Sequence, residues 1–322
     1  MPSESRLRDS GFVDIYLGYD RAQKEYFEIK GLKGASAQLA PAPEELRFDI
    51  SQLRDQALHF YEETKRTEFS LTYDERLYRI TITFNIAGLP TFVFRQTSSK
   101  ILTLSDIGLT SDLNKGLKDK KKSGLILVSG GMGSGKTTTA AAILSDRIAL
   151  TGELSVAIED PIETLLEGQH GSGRCIQLEV TENDGYPSAT KKAFRMGATS
   201  FLLGEIRDSI TANEVLKASL SMFVVSTIHG ATAIDALERY CMLCEEINPN
   251  AKAIISKSVF MITYQTLSPV FKDEYLRGHN VELSGFNILD SSNKDTIQAK
   301  IAGGDFKSLT DQLGSMKYRF QD

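Results

Sequence analysis

Eight residues, Gly130-Gly131-Met132-Gly133-Ser134-Gly135-Lys136-Thr137, fit the spacing G-x-x-x-x-G-K-[ST]. The chemistry this pattern serves is the capture of several phosphate charges at once. Glycines let the backbone turn tightly and aim N–H groups at an anion. A helix starting there adds its positive end. The lysine supplies a point charge for the β- and γ-phosphates, and Thr137 a hydroxyl for Mg²⁺. The next residue, Thr138, joins the expected binding set. The flanks suit the mechanism: Leu125-Ile126-Leu127-Val128 is an apolar run of strand length, and Thr138 to Leu144 is rich in helix formers.

A bound triphosphate stays inert until other groups position water and stabilise charge. Two stretches offer carboxylates. Ala157-Ile158-Glu159-Asp160-Pro161-Ile162-Glu163 places Glu159, Asp160 and Glu163 at the expected carboxyl end of a strand, the edge where open α/β sheets bind ligands. Phe201-Leu202-Leu203-Gly204-Glu205-Ile206-Arg207-Asp208 is an apolar strand that ends in an acid. Glu205 there suits the Mg²⁺ shell, through water, or the orientation of water. Arg207 suits a pair with Glu205 or a neighbouring subunit. His229 ends a third apolar strand, Val224 to Ile228, where it can sense a γ-phosphate.

The elements that must position these groups alternate. Strands are expected at 125–129, 155–159, 201–205 and 223–229, with helices at 137–150, 188–196 and 209–221. This is the rhythm of a mostly parallel sheet covered on both faces. Further helices are expected at 233–247, at 250–261 behind Asn248-Pro249, and at 305–316, with a late strand at 283–289. Residues 1–100 read as a separate, smaller α+β module. It has a strand at 13–17, a loop at 31–43 and a helix capped by Asp49 or Ser51. A hairpin follows, with Tyr78, Ile80, Ile82 and Phe84 alternating against Arg79, Thr81 and Thr83 before a turn at 85–88.

The bulk numbers narrow the class. The chain has 322 residues, enough for two domains, here 1–100 and 101–322. A net charge of −5 argues against a broad nucleic-acid surface. Lys118-Asp119-Lys120-Lys121-Lys122 reads as a solvated helix end. No apolar run is long enough to span a bilayer and the first residues lack a signal-peptide core, so a cytosolic protein is expected. Three cysteines, Cys175, Cys241 and Cys244, build no disulfide framework and read as structural thiols.

Four boxes in this order resemble the secretion ATPase superfamily, most closely the PilT-like motors of type IV pilus retraction and the DotB-like ATPases of type IV secretion. They are Gly130–Thr137 (Walker A), Ala157–Glu163 (Asp box), Phe201–Asp208 (Walker B) and Ser226–Gly230 (His box). The resemblance implies an α/β chain: a RecA-like P-loop NTPase domain, with a PAS-like N-terminal domain before it and nucleotide between the two. It implies ATP and Mg²⁺ and a homohexameric ring. The ring would be cytoplasmic, peripheral to the inner face of the cytoplasmic membrane, and partnered by a membrane platform protein. Nucleic acid is not an expected partner. Glu163 would polarise water and Glu205 would be the Walker B glutamate. Glu159 and Asp160 would position Mg²⁺ or water, and Arg79 and Arg95 would reach the phosphates. Arg195 and Arg239 are weaker candidates for that work. The chain departs from the family pattern at Ser221-Met222-Phe223, where Thr-Gly-His is usual, and at Ala198-Thr199, where Pro-Asp is usual.

Two functions of different class follow. One is an ATP-hydrolysing motor that retracts a pilus or drives secretion or conjugation. The other is a nucleotide-dependent switch that turns over slowly and recruits a membrane partner.

Overall fold

The computed structural model describes residues 7–32, 37–97, 100–107, 113–181, 185–272, 275–288, 291–310 and 318–319. The chain forms two compact units: Met1–Lys100 with Pro161–Leu165, and Ile101–Asp160 with Leu166–Asp322.

The first unit is a six-stranded sheet with one helix. Its elements are β1 (Asp14–Tyr19), β2 (Glu25–Lys30), β3 (Leu39–Pro41), α1 (Glu44–Thr64), β4 (Glu68–Tyr73), β5 (Arg76–Phe84) and β6 (Pro90–Gln96). The order is β3-β2-β1-β6-β5-β4, antiparallel throughout. The alternation along β5 sends Tyr78, Ile80 and Ile82 inward. On α1, Leu46, Ile50, Leu53 and Ala57 recur at helical spacing and join the same core. The helix begins at Glu44, earlier than the expected cap. Asp49 therefore lies inside it, and its carboxylate accepts from the Leu7 amide and the Tyr73 hydroxyl instead, both at 2.9 Å.

The second unit opens with α2 (Leu113–Lys118), β7 (Gly124–Gly130), α3 (Lys136–Thr151) and β8 (Leu154–Glu159). The edge hairpin β9 (Gly168–His170) and β10 (Gly173–Glu179) follows, then α4 (Gly185–Arg195), β11 (Ser200–Ile206), α5 (Ser209–Ser219) and β12 (Phe223–His229). It closes with α6 (Ala233–Glu245), α7 (Ala251–Ser258), β13 (Val259–Lys272), β14 (Tyr275–Asn287), α8 (Lys294–Gly303) and β15 (Tyr318–Arg319). The sheet order is β15-β14-β13-β7-β12-β11-β8-β10-β9. Pairing is parallel from β13 through β10 and antiparallel at both edges. The α/β class read from the sequence holds, and the sheet is mixed.

Two core clusters flank this sheet. One packs α3 and Leu117 of α2 against one face, and the other packs α4 to α8 against the opposite face. In the first unit β3 occupies 39–41 of the stretch expected as loop, and two expectations change in the second. The helix expected to run to 261 stops at Ser258, and the chain enters β13 at once. The last described helix is α8, not 305–316. Residues 307–310 form a short 3₁₀ turn and 311–317 lie outside the described residues.

All three cysteines are free and fully buried. Burial pushes the Cys175 and Cys244 thiols up to about 12 and raises Cys241 further. Thiolate is the reactive form. We therefore expect Cys175, Cys241 and Cys244 to resist alkylation at about pH 8 in the folded chain and to react together once denaturant is added. Selective labelling of the Cys241–Cys244 pair in native protein would contradict this.

Candidate functional site

The acids and the histidine named from sequence reach one edge of the second sheet because of strand register and alternation. β7, β12, β11 and β8 are neighbours and run parallel. Their carboxyl ends lie side by side, about 4.8 Å apart per step. Gly130 is opposite His229, Glu205 is opposite Thr227, and Ile158, just before Glu159, is opposite Leu203. Alternation then sets the face. Val156 and Ile158 point to the α4–α8 core and Ala157 to the α3 core, so Glu159 follows Ala157 to the α3 side. On β12, Phe223 and Val225 line the α3 core, and His229 has their parity.

Glu205 reaches that same face only through a bulge. Phe201 and Leu203 belong to the α4–α8 core and Leu202 to the α3 core, so an unbroken strand would send residue 205 the wrong way. The register slips by one residue between Leu203 and Glu205. After the slip Ile206 takes the α4–α8 side and Glu205 turns to the α3 side. The carbonyls at the bulge stay satisfied. Ser226 Oγ donates to Leu203 at 2.5 Å, and the Ser226 and Thr227 hydroxyls reach Gly204 at 3.3 Å. A side chain at Gly204 would come within 2.5 Å of the Tyr186 hydroxyl.

The Glu205 carboxylate is held from two sides. Arg207 Nε donates to Oε2 at 2.8 Å; His229 Nε2 stands 2.7 Å from Oε1 in ion-pair range, although that buried oxygen accepts no hydrogen bond among the described residues. Burial alone would lower the Arg207 guanidinium, but the bond to Glu205 together with the charges of Glu205, Tyr186 and Asp160 outweighs it and the net shift is upward. Burial, with the charges of Asp160 and Glu159 behind it, raises the Tyr186 phenol. Asp160 itself is exposed. Glu159 is buried, and Gln177 Nε2 donates to its Oε1 at 2.9 Å. Asp208, last of its stretch, caps α5 by accepting from the Thr211 amide at 2.7 Å.

The glycine loop joins β7 to α3. Gly135 occupies the left-handed region at φ 82° and forms the N-cap of α3. Gly130 sits at φ 154°, where a Cβ would strike the Gln265 carbonyl and lie 2.5 Å from Ser134 Oγ. At Gly131 and Gly133, by contrast, nothing lies within 4 Å of a Cβ position. The loop is thus backed on one side and open on the other. Gly131, Met132 and Gly133 are exposed; Ser134 and Lys136 are buried; Thr137 and Thr138 are half-buried. Lys136 Nζ donates to the Gly131 carbonyl at 2.8 Å, curled over the loop backbone. An open rim of backbone, a lysine and a sixteen-residue helix beginning there fit a polyphosphate. For a metal the fit is conditional. Among the described residues no three His, Cys, Asp or Glu side chains cluster as a cation cage. The Thr137 hydroxyl and the Glu205 carboxylate are hard oxygen donors, too few alone. They suit Mg²⁺ that arrives on phosphates and keeps its waters.

Arg79, Arg95 and Glu163 belong to the first unit. Register lays Lys30, Asp14, Arg95, Arg79 and Ser70 in one transverse row across β2, β1, β6, β5 and β4. Two arginines directly opposite each other need negative partners. Asp14, fully buried, takes Arg95 Nε at 2.8 Å. Glu163 takes Arg79 Nη1, and Ser70 Oγ donates to the Ile162 carbonyl at 2.7 Å, so the segment 161–165 docks on this row. The bond to Asp14, against the cost of burial, holds the Arg95 guanidinium above its usual range. Sequence reading named both arginines and Glu163, but neither pairing and not Asp14. Asp14 sits in a strand with no acidic pattern.

Two residues escaped the sequence reading altogether. Gln177 fixes Glu159 from a strand that was not anticipated, although Cys175, Gln177 and Glu179 alternate with Ile176 and Leu178. Gln265 underlies the glycine loop from β13.

No described helix is long and apolar enough to cross a membrane. The family described as Type II/IV secretion system protein matches residues 66–298. The type IV pilus retractation ATPase PilT of Pseudomonas aeruginosa is 31% identical over 210 residues, covering 64% of this chain and 59% of that protein. The competence protein ComGA of Halalkalibacterium halodurans is 32% identical over 174 residues, covering 51% and 48%. The chain thus spans about half the length of these curated relatives. Among solved structures, the pilus retraction motor PilT with bound ADP gives a TM-score of 0.72 at 22% identity, covering 96% of this chain and 87% of that one. The ATPase DotB of Legionella pneumophila gives 0.66 at 16% identity, covering 95% and 85%. At these identities the structural likeness establishes the fold. The match over 66–298 establishes kinship, and the chain belongs to the Type II/IV secretion system protein family.

Proposed function

We propose that this chain is an ATP-hydrolysing motor subunit. It works as a homohexamer on the inner face of the cytoplasmic membrane, where it retracts a type IV pilus or drives type IV secretion or conjugative transfer. The observation that supports this most is the gathering of Gly130, His229, Glu205 and Glu159 on neighbouring strand ends, with the last three on one face. The PilT and ComGA relatives and the ADP-bound PilT fold point the same way.

In this reading residues 130–138 cradle the phosphates. Lys136 exchanges its bond to the Gly131 carbonyl for the β- and γ-phosphates, a stronger charge-assisted contact. Thr137 and, through water, Glu205 would hold Mg²⁺, which neutralises phosphate charge. Glu163 polarises the attacking water. Its carboxylate is paired with Arg79 here, so Arg79 is expected to move to phosphate oxygens and leave the carboxylate to face water. Arg95, already bonded to Asp14, supports the same charge. Glu159 and Asp160 position water, and Arg207 turns from Glu205 to phosphate or to a neighbouring subunit. His229 reports the γ-phosphate to Glu205. Residues 1–100 serve as a PAS-like module and 101–322 as the RecA-like ATPase domain. The partner that receives the motion is a membrane platform protein, not nucleic acid.

The test is phosphate release by the purified full chain, with its mass measured by light scattering in the same buffer. We expect turnover that needs Mg²⁺, stops with EDTA and rises as the chain assembles to about six copies. A chain that binds ATP tightly yet releases less than about one phosphate per site over hours is the slow switch. A strictly monomeric chain with full activity would overturn the ring.

A further inference from the structure

The glycine loop is braced from outside the motif that names it. β13 runs parallel to β7, with Gln265 opposite Gly130. Its side chain is buried to 2% exposure. One carboxamide ties two parts of the loop–helix unit together. Nε2 donates to the Ser134 carbonyl at 2.5 Å, and Oε1 accepts from Thr139 Oγ1 at 2.6 Å. The Gln265 carbonyl fills the space beside Gly130, and its Nε2 lies 2.8 Å from where a Cβ at Gly135 would stand. One residue earlier on β7, Ser129 Oγ donates to the Thr263 carbonyl of β13 at 2.7 Å. The first glycine, the serine, the last glycine and the second turn of α3 all meet this one residue.

We infer that Gln265 is a positioning residue for phosphate recognition. It fixes the width of the loop and thereby the aim of its amides. A carboxamide suits this because it donates and accepts at once. The Ser134 carbonyl needs a donor and the Thr139 hydroxyl an acceptor, and both are shut off from water. Held this way, the Ser134 peptide cannot rotate, and the N–H groups that follow it keep their direction without reorganising when an anion arrives. The inference rests on the proposed reading of the loop as a nucleotide phosphate site.

The test is competition binding to the full chain with ADP and AMP against a fluorescent ADP analogue. The loop should grip the β-phosphate most, so the advantage of ADP over AMP reports loop geometry rather than general stability. For Gln265→Met, which keeps volume and loses both bonds, ADP affinity is expected to fall about tenfold while AMP affinity stays within about twofold. Thr139→Val removes only the hydroxyl that orients the carboxamide. A smaller loss for ADP, about threefold, is expected there, and it decides the matter if Gln265→Met does not fold. Equal losses for ADP and AMP, or no change in either variant, would overturn the positioning role. Failure of the unmodified chain to bind ADP would overturn the nucleotide reading itself, and the inference with it.

Discussion

Glu205→Gln is expected to slow ATP hydrolysis by roughly 10²–10³-fold while ADP binding stays within about threefold. The isostere keeps the shape of the strand end and changes its charge. In the present arrangement one carboxylate accepts from Arg207 Nε and lies 2.7 Å from His229 Nε2. An amide offers one oxygen, so its NH₂ must confront either the guanidinium or the imidazole. Turnover by the full chain, with ADP affinity measured alongside, checks this. Hydrolysis within tenfold of the unmodified chain would remove Glu205 from the chemistry. Loss of ADP binding in step with hydrolysis would make it a scaffold residue instead.

Arg147→Leu is expected to cost about 3–5 kcal/mol of stability, lowering Tm by roughly 10 °C. Arg147 is fully buried on α3 without a carboxylate bonded to it among the described contacts. Its Nη1 donates to the Leu117 and Asp119 carbonyls, both at 2.6 Å, where α2 ends and the lysine run begins. The guanidinium also lies 4.7 Å from the Phe223 ring centre. Burial lowers its affinity for the proton, and the nearby charges of Glu153 and Asp119 offset only part of that; the carbonyls at the end of α2 and the Phe223 ring supply its contacts. Leucine would fill only part of the volume and leave two carbonyls short of donors. Arg147→Lys should recover only part of the loss, since an ammonium cannot fork to both. A Tm within about 2 °C for the leucine variant would show that water replaces the guanidinium at no cost.

These residues mark what the sequence discloses. The strands at 125–129, 155–159, 201–205 and 223–229 are legible because buried parallel strands are continuous apolar runs, and each begins or ends near glycine or a charge. The glycine loop announces itself because its chemistry dictates residue types at fixed spacing. β2, β4 and β10 are hard to see, because a strand with one polar face, or at an edge, carries a short and mixed pattern. α8 was hidden by a weak amphipathic stripe, with only Ile297 and Ile301 buried. Arg147 and Gln265 are invisible for another reason. Their partners lie about 30 and about 130 residues away, and nothing local marks a polar residue as buried. Glu205 was assigned by its place after an apolar run. The bulge that turns it to the right face carries only a glycine as its sign.

The five residues Pro161–Leu165 leave one unit, lie on the other and return. The backbone therefore passes between the units after residues 100, 160 and 165, and the N-terminal sheet clasps a piece of the later chain. Severing the protein after Lys100 would not yield two finished halves. The ATPase fragment would carry Ile162 and Glu163 stripped of Ser70 and Arg79, and the sheet fragment would retain an empty berth for them. Such fragments should recognise each other in trans, because residues 161–165 keep their groups for Ser70 and Arg79 after the cut.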